Sequence, residues 1–236
     1  MLVKLSAIAN HRYALLLYLV TADVGFSLIY LLSSLLQHQA FPAFDFDRKW
    51  TIPVVFAATK LLAIGCLLVT SALWKYCLFR RSTRALLLTM GAGFLYLSVD
   101  KLFKFHHLLQ LPDGMPKFAS GGGSWIFFYL FIQLLIVTLG FGNFVKLWRF
   151  YPQGACLIAL GIAVFITGGL GTEILNYQIF QPLLWHMGQG DRTTLSALKD
   201  TVEESLELLG ESIALQGLVL FLLKQRHHYL ELKAKR

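Results

Sequence analysis

Charge is scarce in this chain. Asp, Glu, Lys and Arg make up 14% of its 236 residues and hydrophobic residues 56%, a balance that excludes an ordinary soluble domain. Cysteine is scarce as well. Cys66, Cys77 and Cys156 have neither the number nor the spacing of a disulfide framework or thiolate metal site, and are expected to be small packing residues in or beside apolar spans. The chain also lacks a phosphate-binding loop, a Gly-x-Ser-x-Gly elbow, a His-Glu-x-x-His pair and a Glu-x-x-His pair. These absences remove the motif-bearing nucleotidases, serine hydrolases, zincins and ferritin-like carboxylate enzymes. No two histidines face each other at mid-span, which argues against haem ligation across the membrane.

Long apolar runs are plentiful. Mean hydropathy is +0.62, and stretches able to cross about 30 Å of hydrocarbon recur throughout. Spans are expected at 13–36, 52–79, 84–111, 125–148, 155–180 and 198–223. The first run is too long for a signal-peptide core and lacks a small-residue cleavage site, so it reads as a retained anchor. The expectation is an all-α, polytopic membrane protein, one domain of six transmembrane helices over 1–236.

The formal charge of +8 is distributed by topology and does not point to nucleic acid. Segments 1–12, 75–84, 146–152 and 224–236 hold thirteen Lys and Arg, and the three alternate connections hold five. The positive-inside rule then puts both termini in the cytoplasm, with the chain expected in a plasma membrane. Trp50, Trp125 and Trp185 fall at the outer interface and Trp74 and Trp148 at the inner one, where such rings prefer to sit.

Three lesser features have simple expectations. Ser120-Gly-Gly-Gly-Ser124 reads as a flexible linker, and the apolar segment from Gln181 to Gly188 is short enough to lie in the interface. Gly161, Gly168, Gly169 and Gly171 in span five suit close helix packing in lipid.

The informative residues are the ionisable groups inside the spans. Asp23, Asp100, Glu173, Glu203, Glu204, Glu207 and Glu211 stand against Lys60, Lys101 and Lys104. Each unpaired charge in hydrocarbon costs at least roughly 2.5–3.5 kcal/mol on insertion scales, so these groups should face the bundle interior and one another. Glu204, Glu207 and Glu211 fall within about 60° of one another on a helix. On span three, Tyr96, Asp100, Lys104 and His107 share a stripe, Lys104 is placed to pair with Asp100, and Lys101 points elsewhere, toward the outer surface. Pairing every lysine leaves four carboxylates to be protonated, hydrated or neutralised by a bound cation.

Carboxylates with imidazole suit a divalent first-row metal, identity open. Its candidate ligands are Asp100, His106, His107, Glu173, Glu204, Glu207 and Glu211. Three functions remain: proton or cation relay and transport, lipid hydrolysis at the outer leaflet with a metal-activated water and Glu204 or Glu207 as base, and a structural subunit. In the last, a homo-oligomer or a membrane-complex partner supplies the missing lysines. Leu97 to His107 and Val202 to Glu211 together resemble a pattern in uncharacterised bacterial multi-pass membrane proteins. These carry Asp-Glu followed after four residues by His-Glu on one helix, and Glu-Glu-x-x-Glu-x-x-Gly on a later one. Asp100, His106, Glu203, Glu204, Glu207 and Gly210 match, while Lys101 and His107 each replace an acid. The resemblance implies that His106 is the working imidazole, whereas face geometry selects His107.

Overall fold

The computed structural model describes residues 13–37, 39–74, 79–105, 124–184 and 188–235, and among them every regular element is helical. Six helices are long and apolar enough to cross a membrane. They are α1 (Ala14–Gln37), α2 (Ile52–Leu73), α3 (Arg81–Phe103), α4 (Ser124–Phe150), α5 (Pro152–Leu184) and α6 (Gln189–Ala234). Pro53 and Pro152 stand in the first turns of α2 and α5, where a missing N–H costs nothing.

α6 is the axis of the bundle. Its 46 residues extend about 69 Å at 1.5 Å per residue, well beyond the 198–223 expected from hydropathy. Hydropathy registers only the apolar part of a helix, and α6 continues with polar residues at both ends. α1 runs antiparallel to it, with Asp23 opposite Ser212 and Tyr30 opposite Asp200. α2 runs parallel, with Lys60 opposite Leu208 and Ser71 opposite Gln225. The start of α1 and the end of α6 therefore share one end of the bundle, and segment 39–51 lies at the other.

α5 packs along α6 through glycines seven residues apart. Gly154 meets the carbonyl of Gly217, Gly161 and Gly210 lie backbone to backbone, and Gly168 meets Glu207 N and Glu203 O. A Cβ at Gly161 or Gly210 would collide with the facing main chain. Of the four glycines expected to pack, Gly161 and Gly168 do so through backbone and Gly169 lies against the Glu207 carboxylate, whereas a Cβ at Gly171 would make only ordinary contacts within α5. Two π-helical turns, Thr167–Gly171 and Asn176–Phe180, interrupt α5 on either side of Glu173.

Several expectations change. α3 ends at Phe103 and not Leu111, because Lys104 adopts a left-handed conformation (φ 56°) and caps it. Gln181–Leu184 continues the helical path of α5 and is not a separate interfacial segment. Cys66 and Cys156 are exposed on the bundle surface and do not pack. The linker residues 120–123, Trp185 and Cys77 lie outside the described residues. Segment 39–51 folds back onto the bundle: Phe46 is 1% exposed, its ring 4.8 Å from that of Tyr30, against Ala57 and Leu208.

Candidate functional site

The carboxylates of α6 are met by three lysines in succession along the helix, and each lysine pairs with two carboxylates. Lys199 lies 2.8 Å from Asp200 and 3.3 Å from Glu203. Lys101, from α3, lies 2.8 Å from Glu204 and 2.5 Å from Glu207. Lys60, from α2, lies 2.8 Å from Asp23 of α1 and 3.3 Å from Glu211. Side-chain exposure falls from 13–17% in the first two groups to 1–3% in the third. The first two groups are thus partly exposed, and the last is buried.

The two more exposed groups border a cavity of about 200 Å³ between α2, α3, α4, α5 and α6. Asp100 and Glu173 also line it, with Phe46, Trp125 and Tyr129 as aromatic walls. A second, more open cavity of about 360 Å³ lies beside it, bordered by Asp45 and Arg192, and the two share Asp47 and Asp200. Tyr30 and Ser196 donate to Asp200 at 3.4 and 3.3 Å. Asn176 donates to Glu173 at 3.2 Å. At the mouth, the Lys104 ammonium donates to the Asp47 carbonyl at 2.9 Å. Partial desolvation, and then the charge of Asp200, hold the Asp47 carboxyl above the usual carboxylate range.

The residues singled out as one metal-ligand set fall into separate places. Asp100, Glu173, Glu204 and Glu207 surround the cavity, whereas Glu211 is not among its lining residues and belongs to the Lys60 group. His106 and His107 lie outside the described residues, so the choice between them has no structural answer. Among the described residues, no group of three or more His, Cys, Asp or Glu side chains is arranged to hold a metal ion. Between Glu204 and Glu207 stands an ammonium.

Lys101 corrects an expectation directly. It does not run outward along α3 but turns inward to α6, because α3 stops one turn later and two carboxylates face that turn. Lys199 and Asp200, assigned from sequence to a connection or its edge, belong to the site because α6 begins at Gln189. Asp47 is a further lining residue that sequence reasoning missed. The available signal was two acids, Asp45 and Asp47, set among three phenylalanines in 41–47, close to the start of a span.

Residues 12–223 match the family described as a domain of unknown function (DUF8692). The chain belongs to that family. No curated protein and no solved structure matches it. The match takes in every lining residue of both cavities and all three lysine groups, and stops within the last third of α6. Membership in DUF8692 carries no activity with it, so function must be argued from the geometry of these groups.

Proposed function

We propose that this is an ion-handling protein of the bacterial inner membrane, both termini cytoplasmic, that passes protons along the carboxylates of α6. The observation carrying this reading is the repeated sharing of one lysine by two carboxylates, from a wet cavity down to a dry interior. Each such group has one carboxylate in excess, and the cheapest neutralisation in a poorly hydrated layer is a proton shared among the oxygens. With the orientation given by the positive-inside rule, the cavity opens to the outer side.

Protons are favoured over a divalent cation for a specific reason. A metal at Glu204 and Glu207 would first have to displace the Lys101 ammonium, 2.8 and 2.5 Å from them. Beyond Glu211 the path is closed by an apolar layer containing Ile64, Leu68, Leu87, Leu215 and Leu218. Transfer across the whole membrane therefore needs a rearrangement, the behaviour of a transporter and not an open channel. The π turns flanking Glu173 give α5 a backbone suited to such movement.

The test is proton flux into pyranine-loaded proteoliposomes under a potassium diffusion potential. Wild type should exceed protein-free vesicles, and Glu207→Gln should lose roughly 10²-fold, the scale of a deleted acid–base group. Equal flux in wild-type and protein-free vesicles overturns the relay. Metal analysis of protein purified without chelators covers the cation form: stoichiometric metal that disappears in Glu204→Ala and Asp100→Ala would replace protons by a bound ion.

A further inference from the structure

Lys60 has more oxygen neighbours than it has protons to give. Its Nζ lies 2.8 Å from Asp23 Oδ1, 2.7 Å from the Leu208 carbonyl, 3.1 Å from Ser212 Oγ and 3.3 Å from Glu211 Oε2. The Phe56 ring closes a further side, its centroid 4.9 Å away. An ammonium has three donors. They are given to Asp23, the Leu208 carbonyl and Ser212, and Glu211 Oε2 with the Phe56 ring completes a shell around the cation drawn from α1, α2 and α6.

Glu211 supplies an independent observation. It is 1% exposed, and neither of its carboxylate oxygens has a hydrogen-bond partner. Buried polar atoms are normally satisfied, and among the described residues the one ionic contact of Glu211 is the longest of the four around Lys60. Its carboxylate thus faces Lys60 without accepting a hydrogen bond, and has room for a closer cation.

The size of the shell selects the ion. Distances of 2.7–3.3 Å are too long for Mg²⁺ or Zn²⁺ at about 2.0–2.2 Å, or Ca²⁺ at about 2.3–2.6 Å. They leave room for a large monovalent ion. We infer that Asp23, the Leu208 carbonyl, Glu211 and Ser212 form a site for an alkali-metal cation of about potassium size, and that Lys60 is its tethered occupant, which the free ion displaces. Leu61, the next residue on α2, lines the outer cavity, so the displaced ammonium has the carboxylates of that cavity to turn to. Cation binding thereby rearranges the ion pairs through which the relay runs. In its functional meaning this rests on the ion-handling reading, while the affinity of the cage stands on its own geometry.

The experiment is thermal unfolding of the full-length protein in detergent, in choline, lithium, sodium, potassium and rubidium chlorides at constant ionic strength. Lys60→Met empties the cage. It should be less stable than wild type in choline and should recover by roughly 5 °C, saturably, in potassium or rubidium. Asp23→Asn/Lys60→Met removes a ligand and should show no ion-specific recovery. A folded, monodisperse Lys60→Met that melts at one temperature in every chloride overturns the inference. If Lys60→Met is recovered only when extracted in potassium chloride, the site is supported; recovery equal in potassium and choline, or in neither, overturns it. Flux and melting separate the two proposals. Ion-specific stabilisation without proton flux keeps the cage and removes the relay, and flux without it does the reverse.

Discussion

At the scale of single residues, a lysine here decides the state of two acids at once. Removing one partner of a buried ion pair costs about 3–5 kcal/mol, because the other charge is left stranded. The groups around Lys199, Lys101 and Lys60 are therefore held as units and not as independent pairs. Asp47 behaves differently, since it lies on an exposed loop outside the spans with its carboxyl above the usual carboxylate range, chiefly by desolvation and then by Asp200. A folded-state value above the unfolded one means the folded chain holds that proton more tightly. Asp47 then contributes stability at pH below the ordinary Asp range of about 4, and loses it as pH rises through the folded value. Asp47→Asn should melt at a higher temperature than wild type near pH 7, and the gap should close as pH falls below about 4. The gap is small, because water screens this side chain. A lower melting temperature for Asp47→Asn at pH 7 would mean that the Lys104 ammonium, and not desolvation, governs the site.

At the scale of helices, close approach of α5 and α6 positions the carboxylates, because Gly168 and Gly169 lie directly against Glu207. Gly161→Leu forces a side chain into the main chain at Ala214. It should cost about 1–3 kcal/mol, a fall of roughly 3–10 °C in melting temperature. Gly93→Ala, on a helix surface with nothing within 4 Å of the added carbon, should be neutral or slightly stabilising. Equal effects at the two positions would refute the packing account. The seven-residue spacing of Gly154, Gly161 and Gly168, and of Gly210 and Gly217, was legible in the sequence, but their pairing needed the antiparallel register. Helix ends were less legible. Continuing the helix through Lys104 gave a stripe that breaks at that residue, and counting 181–200 as a connection put Lys199 outside α6. Both errors have one physical origin: hydropathy records where a helix is greasy, while capping and polar extension determine where it stops. The acidic layer was legible because carboxylates in apolar runs are rare. Its division into groups was not, because that depends on which helix offers each lysine.

At the scale of the molecule, the distribution of positive charge and the length of α6 bear on the same question. α6 is about 69 Å long against about 30 Å of hydrocarbon, so in the proposed topology both of its ends project into water, and α1 returns antiparallel to it. In that proposed topology segment 39–51 and the end of α6 lie on opposite sides, with the end of α6 in the cytoplasm by the thirteen-to-five bias of Lys and Arg. In a background with Cys66, Cys77 and Cys156 replaced by serine, single cysteines at Arg48 and Lys233 report the two sides, since both positions are exposed. A membrane-impermeant maleimide applied to intact spheroplasts should label Arg48→Cys at once, and Lys233→Cys only after permeabilisation. The reverse pattern would turn the acidic cavity toward the cytoplasm and make it a route for protons leaving the cell. Labelling of both from outside would refute the spanning of α6 itself. The orientation thus determines which compartment fills the cavity, and with it the direction in which the lysine-bridged carboxylates can work.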